Sequence, residues 1–301
     1  MKRRTFVKNT TLLSLTSLYS LESIWNNYLP EGEKFKIGLQ LYTVRDEMAK
    51  NPKSTLKTLA EIGYTDLECA GYQEGKFYGF AREEFKILLE DLGLTMKSGH
   101  ILTGAHAPKQ KRTLTNDWEG ACEDAAYMGQ QHLVCPYLFD FERKSIDDYK
   151  RLADLFNQCG EVAKEYGISF SYHNHDFEFF QLDDEIPYDT LLKRTDHEVC
   201  NFELDLYWII KAGKKPIEYF RNYPGRFILW HVKDIEDSED QFFAEVGKGT
   251  IDWSEIFDQR ALSGTRLYYV EQDICRHHLP MESIKMSYEY LKGKNHPSYG
   301  S

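Results

Sequence analysis

The chain has 301 residues, 42% of them hydrophobic and 14% aromatic, enough apolar side chain to fill one large domain or two ordinary ones. Its formal net charge is −11 and its pI about 5.4, so the broad positive footprint of a nucleic-acid binder is missing. A small-molecule partner fits this balance better than a phosphate backbone does.

Residues 1–33 read as a leader. MKRRTFVKNTTLLSLTSLYSL has a basic start with Arg3 and Arg4 adjacent, followed by a modestly apolar run of Leu, Ser and Thr. That is the layout of a bacterial export signal, and RRTFVK resembles the twin-arginine type, which implies a periplasmic destination. The run falls short of the ~20 predominantly apolar residues of a membrane helix, so no stable span is expected in the mature chain. No small-residue cleavage site follows, which leaves a retained leader or a basic tail as alternatives. The six cysteines are scattered, with no CxxC pair, and Cys69, Cys135 and Cys200 fall in or at the end of apolar runs. Buried free thiols are therefore expected, in line with a protein exported already folded.

From residue 34 to 294 short apolar runs alternate eight times with segments of helical period, and 295–301 form a tail. The expected strands are 36–42, 66–69, 95–100, 132–137, 168–173, 201–205, 227–232 and 266–271, each short enough to be buried on both faces. Among the helices the clearest spans 146–166, where Leu152, Leu155, Phe156, Cys159, Val162, Ala163 and Tyr166 recur at steps of three and four before Gly167. Gly63, Gly93 and Gly129 close other helical patterns just before a strand. Eight βα units fit a single (β/α)8 TIM barrel, which takes ~250 residues. A doubly wound open sheet is the alternative, but no GxGxxG or GxxxxGK[ST] loop follows any strand.

Barrel enzymes place their sites at the C-terminal strand ends. Those ends carry Gln40 and Tyr42, Glu68, His100, His173 with His175, Asp205, His231 with Lys233, and Glu271. Four successive strands thus direct His173, Asp205, His231 and Glu271 towards one point, about one βα unit apart. Mixed imidazole and carboxylate donors suit one divalent ion of Mn, Zn, Fe or Co better than calcium. Gln40, Tyr42, Glu68, His100 and Trp208 are the expected substrate contacts, and Trp230 is a further candidate wall. Two glycines and Lys248 in VGKGTIDW give a weak signal for an anion site.

IGLQLYTVRDEM, YHNHDFEF, FELDLYWIIKAG, ILWHVKDI and VGKGTIDW together resemble the xylose-isomerase-like TIM-barrel superfamily, and within it the sugar phosphate isomerase/epimerase proteins, over about residues 36–292. The resemblance implies a metal set of Glu, Asp, His and Glu on strands five to eight, and Asp205, His231 and Glu271 match its last three positions. At the first position His173 stands in place of the glutamate. The paired glutamates that the family's epimerases use as acid and base are therefore incomplete.

With His173 or His175 as base, Glu271 and Lys233 as further catalytic groups and a metal on the oxyanion, proton abstraction next to a carbonyl remains available. Lys233 is expected to meet a substrate oxygen or an acid beside the metal ligands, or else to pair with Asp234 or Glu236. The leading expectation is a metal-dependent isomerase or epimerase acting on a free sugar, keto-sugar or glycoside. A 3-keto-glycoside lyase or dehydratase is the alternative, because elimination needs one base and a Lewis acid. A catalytically inactive carbohydrate-binding barrel is a third reading, and an abasic-DNA endonuclease is disfavoured by charge and leader. A homo-oligomer is compatible with the sequence.

Overall fold

The computed structural model describes residues 36–293; the expected leader and tail lie outside the described residues. Eight parallel strands close into a barrel: β1 Gly38–Gln40, β2 Asp66–Cys69, β3 Thr95–His100, β4 His132–Cys135, β5 Ser169–His173, β6 Cys200–Asp205, β7 Leu229–Val232 and β8 Leu267–Val270. Each is hydrogen-bonded to its neighbours in sequence, and β8 closes on β1. A helix follows each strand: α1 Pro52–Ile62, α2 Arg82–Asp91, α3 Trp118–Met128, α4 Ile146–Glu165, α5 Pro187–Arg194, α6 Pro216–Asn222, α7 Trp253–Asp258 and α8 Pro280–Gly293. This is the (β/α)8 architecture that the eightfold alternation predicts. Among the described residues no helix is long and apolar enough to cross a membrane.

The sequence explains the helix ends. Ser145 accepts from the Asp148 amide and Asp148 reaches back to the Ser145 amide, a capping box that starts α4. Gly167, at φ +72°, leaves the helical path with a conformation that a side chain disfavours. The buried stripe of α4 includes Tyr149, Leu152, Phe156, Cys159 and Ala163, at the spacing that one helix face requires.

Strand residues alternate between two environments. Outward-facing Leu67, Leu133, Phe170, Tyr172, Phe202, Leu204, Trp230 and Tyr268 join the main core under the helices. Lower in the bore, Val134, Leu229 and Tyr269 form a separate apolar plug. Gly38 is required there, since a Cβ at that position would lie 2.5 Å from Cδ1 of Tyr269. Above the plug the inward positions turn polar. Register then sets the rungs: Gln40 beside Glu68, His173 beside Glu203, and Asp205 beside His231.

Several expected strands end earlier than the apolar runs suggest. The first stops at Gln40 because its own side chain accepts the Tyr42 amide and starts a 3-10 turn, Leu41–Val44. After β2, Tyr72–Gln73, Lys76–Phe77 and Phe80–Ala81 form a small antiparallel sheet, and after β7 Asp234–Ile235 pairs with Phe243–Ala244. These additions make the loops above the barrel long.

All six cysteines are free, and only Cys275 is not fully buried. Denatured without reductant, the chain should react with a disulfide-based thiol reagent at six sites, and when native at Cys275 alone; a denatured count of zero would contradict the packing. His132, buried at the start of β4, is pushed down to about 3 by burial and by Arg266. A folded-state pKa below the unfolded value of about 6.5 means that stability is present above that value and is lost as pH falls through it. Between pH 6.5 and 5 this histidine should cost about 2 kcal/mol. Urea unfolding at both pH values should give His132→Leu a pH dependence flatter by that amount.

Candidate active site

The strand ends bring nine polar side chains into one buried cluster at the barrel mouth. Glu68, Glu203, Asp205, His231 and Lys233 are fully buried, while Glu271 and His173 are nearly so. Burying so much charge is tolerable only if each group is paired, and the cluster divides into two linked halves that do this.

The first half centres on Lys233. Its ammonium lies 2.8 Å from Asp205 Oδ2, 2.5 Å from Glu271 Oε2 and 2.6 Å from Asp273 Oδ2. One ammonium thus faces three carboxylates, donating a hydrogen bond to Asp273 and holding Asp205 and Glu271 by charge. Neither Asp234 nor Glu236 is the partner, which corrects that sequence expectation. Asp234 faces the other way: its two oxygens accept from the amides of Ile235, Gly247 and Ile251 and from the Trp253 indole. Of the VGKGTIDW amides expected to meet an anion, those of Gly247 and Ile251 go to this internal carboxylate, while those of Val246, Lys248 and Thr250 donate to Ser287, Glu245 and Ile235.

The second half centres on Glu203. Its Oε2 lies 3.1 Å from each of His100 Nε2, His173 Nδ1 and His231 Nε2. Glu68 Oε2 is 2.5 Å from His231 Nε2 and 3.2 Å from His100 Nε2, and it accepts the Gln40 amide at 2.7 Å. Glu68 Oε1 and Glu203 Oε1 have no hydrogen-bond partner. His173 and His231 join the halves, since their opposite nitrogens face Asp205 Oδ2 at 3.7 and 3.9 Å, and His231 Nδ1 reaches Glu271 Oε2 at 2.8 Å.

Charge follows from these contacts. Burial opposes the charge of His231, but Glu203, Glu271 and Glu68 raise it well above the histidine range; against the same opposition Glu68 and Glu203 lift His100 to about 9. Burial and the neighbouring His231 hold His173 well below that range, and burial with Lys233 brings His175 down to about 3. Burial raises Asp205 to about 6 in spite of Lys233. Burial disfavours the Glu271 carboxylate, yet Lys233 and His231 keep it well below its ordinary value. Two imidazoles are therefore cationic and two neutral.

His175 stands above the cluster, its ring centroid 5.2 Å from that of His173, among Tyr137 at 5.1 Å, Phe177 at 5.5 Å and Trp208 at 5.3 Å. Its Nδ1 has no partner. Glu178, pushed up to about 7 by burial, accepts the His175 amide at 2.8 Å and the Tyr172 hydroxyl, and so fixes this loop. Asn174 holds β5 to β6 by accepting the Asp205 amide at 3.0 Å. Asp205 Oδ1 in turn caps the short helix Leu206–Lys211 through the Trp208 amide, which sets Trp208 at the mouth.

Most of the expected site residues meet here: Gln40, Glu68, His100, His173, His175, Asp205, Trp208, His231, Lys233 and Glu271. Two do not. Tyr42 is 41% exposed with the Arg45 guanidinium 4.2 Å over its ring, and Trp230 faces outward, stacked on Phe220 and donating to Ser263. The sequence reading also missed Glu203, Asp273, Glu178 and Asn174. A signal for Glu203 was present, since it lies two residues before Asp205 on the same strand and so shares its face.

Two sets of donors lie within 4.8 Å of one another: His173, Asp205, His231 and Glu271, and His100, His173, Glu203 and His231. Imidazole and carboxylate donors of this kind fit a divalent transition metal. In the first set, Lys233 already occupies the Asp205 and Glu271 oxygens.

A closed parallel barrel with a buried imidazole–carboxylate cluster at its C-terminal mouth defines a class of TIM-barrel proteins. Within it, the chain belongs to the xylose isomerase-like TIM barrel family, whose model matches residues 56–271. It is 28% identical to an inosose dehydratase of Clostridium beijerinckii over 167 residues, 49% of this chain and 55% of that protein. The chain thus spans about half the length of the curated relatives it matches. A solved sugar phosphate isomerase/epimerase from Parabacteroides distasonis shares 29% identity, with a TM-score of 0.75 over 90% of this chain and 100% of the other. The zinc-bound IolI protein shares the fold at 15% identity, with a TM-score of 0.66 over 89% of this chain and all of that one.

Lys233→Met removes the one fixed cation between three buried carboxylates. Breaking such a network strands charge, so urea unfolding in the presence of a chelator should show a loss of about 3–5 kcal/mol. A loss below about 1 kcal/mol would mean that the carboxylates find other partners.

Proposed function

We propose that the chain is a lyase of the dehydratase type, which removes a proton next to the carbonyl of a keto sugar or keto polyol and expels a β-hydroxyl as water. The observation that carries this reading is the state of Glu271. Held 2.5 Å from Lys233 and 2.8 Å from His231, its Oε2 is already engaged by two partners, whereas His175 Nδ1 has none. With His173 in place of the other glutamate that the resemblance implies, no two carboxylates are free to work on opposite faces of an enolate. Epimerisation needs two such groups; elimination needs a base and an acid.

Both are at hand. His175 is neutral, its Nδ1 is free, and it takes the α-proton. His100 is cationic, lies on the far side of His173 at a ring distance of 5.7 Å, and gives its proton to the departing hydroxyl. The C–H electron pair becomes the new C=C bond as the C–O bond breaks, so base and acid exchange one proton each with substrate. A divalent ion held by His173, Asp205, His231 and Glu271, the donor set that leaves His100 free, would supply Lewis-acid stabilisation of the developing enolate oxygen. Tyr137, Phe177 and Trp208 around His175 offer the apolar faces on which a sugar ring stacks.

The mouth also suits an uncharged substrate. Five carboxylates stand against three cations, and in the glycine-rich segment that would meet a phosphate the Gly247 and Ile251 amides are turned to Asp234. Similarity to an inosose dehydratase supports elimination. An isomerase or epimerase is the second reading, favoured by likeness to the Parabacteroides isomerase/epimerase along nearly the whole barrel.

Keto-inositols and 3-keto-glucosides in deuterated water separate the two. Elimination yields an ultraviolet-absorbing enone or its tautomer; deuterium at an inverted carbon without enone would establish epimerisation and overturn the proposal. His175→Gln should lower turnover by about 100-fold or more while circular dichroism stays unchanged.

A further inference from the structure

We propose that Glu178 is the positioning residue of the base: as a carboxylate it accepts the His175 amide and the Tyr172 hydroxyl, and when it takes up a proton that hold loosens and turnover falls. This rests on the reading of His175 as the base and says what keeps its imidazole in place.

The backbone shows why such a hold is needed. Strand β5 ends at His173, and Asn174 is tied to β6 by accepting the Asp205 amide at 3.0 Å. At His175 the chain has left the sheet, and its N–H needs a partner outside the ladder. A 3-10 turn, Phe177–Phe179, brings Glu178 back beneath the loop, where Oε2 accepts that N–H at 2.8 Å. Its Oε1 accepts from Tyr172, a fully buried residue of β5 whose ring stacks on Phe156 of α4 with centroids 5.1 Å apart. One side chain thus ties the segment that carries His175 to an anchor inside the core.

The surroundings of Glu178 bear on its charge. It is fully buried, and the groups that face it are Tyr172 on β5, Tyr149 on α4, Tyr188 on α5 and Arg143 from the loop after β4. The Arg143 guanidinium is itself held 3.5 Å over the Phe177 ring, and it donates to the Leu138 carbonyl and to Asp140. Burial outweighs these partners and pushes the carboxyl up to about 7. A folded-state value above the unfolded one means that stability falls as pH rises between the two, so ionising this group costs the fold. A buried charge kept at such a cost is a mark of function rather than of stability.

Protonation changes what the group can offer. The carboxylate accepts from both partners, whereas the neutral acid carries a hydrogen on one oxygen. That hydrogen meets the Tyr172 hydroxyl or the His175 N–H as donor against donor and weakens the bond. The hold is therefore complete above the folded-state value and is lost as pH falls through it.

The test pairs the pH profile of kcat on keto-inositols and 3-keto-glucosides with the His175 amide signal of the 15N-histidine-labelled full chain, assigned by its loss in His175→Gln. In wild type kcat should fall below an inflection near neutral pH with KM unchanged, and the amide should titrate with the same midpoint. In Glu178→Gln the amide should stop titrating, and kcat should be flat across that limb, about 10- to 100-fold below the wild-type plateau. A purely structural defect would lower the folded fraction and leave the shape of the profile intact. A wild-type amide that does not titrate between about pH 5.5 and 8.5 overturns the positioning role and leaves the elimination standing. An amide that titrates in wild type beside an unaltered kcat profile in Glu178→Gln overturns the reading of His175 as the base, and this proposal with it. Circular dichroism checks the fold. Should Glu178→Gln not fold, Tyr172→Phe decides: the hydroxyl that favours the carboxylate is gone, so both midpoints should move to higher pH, and unmoved midpoints overturn the proposal.

Discussion

The mouth of this barrel depends on the pairing of buried charge. Five carboxylates from β2, β6, β8 and the loop after β8 converge where water has been excluded, and carboxylates left unpaired in such a place cost several kcal/mol each or take up protons. Lys233 contacts three of them from a single atom, and His231 ties the remainder to them through its two nitrogens. The lysine is therefore a fixed structural charge that sets the protonation of its neighbours. It lowers Glu271 and His175 together, favouring the carboxylate of the one and, with burial, the neutral imidazole of the other.

Register is what makes this pairing reproducible. In a parallel barrel a slip of one residue would turn every inward side chain outward. Here His173 is opposite Glu203 and Asp205 opposite His231, so alternate imidazoles and carboxylates fall on adjacent strands by backbone pairing alone. Below them the Tyr269 ring, seated against Gly38, closes the bore with apolar surface, and the polar rungs are confined to the upper end.

The barrel was legible because its strands are buried on both faces and read as short apolar runs between glycine-stopped helices. The strand ends were legible for the same reason: a histidine or acid that follows such a run has nowhere to go but the mouth. Glu203 and Asp273 were hidden by the same rule. An acid inside an apolar strand looks like an interruption until the pleat is known to turn it into the bore, and Asp273 lies past the strand, where only three-dimensional contact with Lys233 assigns it. Asp234 misled in the other direction. Its loop has the glycines of an anion site, but the anion it binds is a carboxylate from its own chain.

His173 and Glu203 give the substitution at β5 a physical meaning. Where the resemblance implies a glutamate at the end of that strand, the chain carries an imidazole, and the negative charge missing from β5 is supplied by its register partner on β6, 3.1 Å away. The net charge of the mouth is thus retained while its centre shifts towards β6 and β3, away from the Asp205–Glu271 pair that Lys233 occupies. A carboxylate at the end of β5 would point into the substrate space as a proton acceptor. Glu203, on the same rung, is instead enclosed by three imidazoles. An imidazole and a carboxylate in register on adjacent strands thus hold the charge of the cluster in balance, and the proposed elimination leaves proton transfer to the imidazole above them.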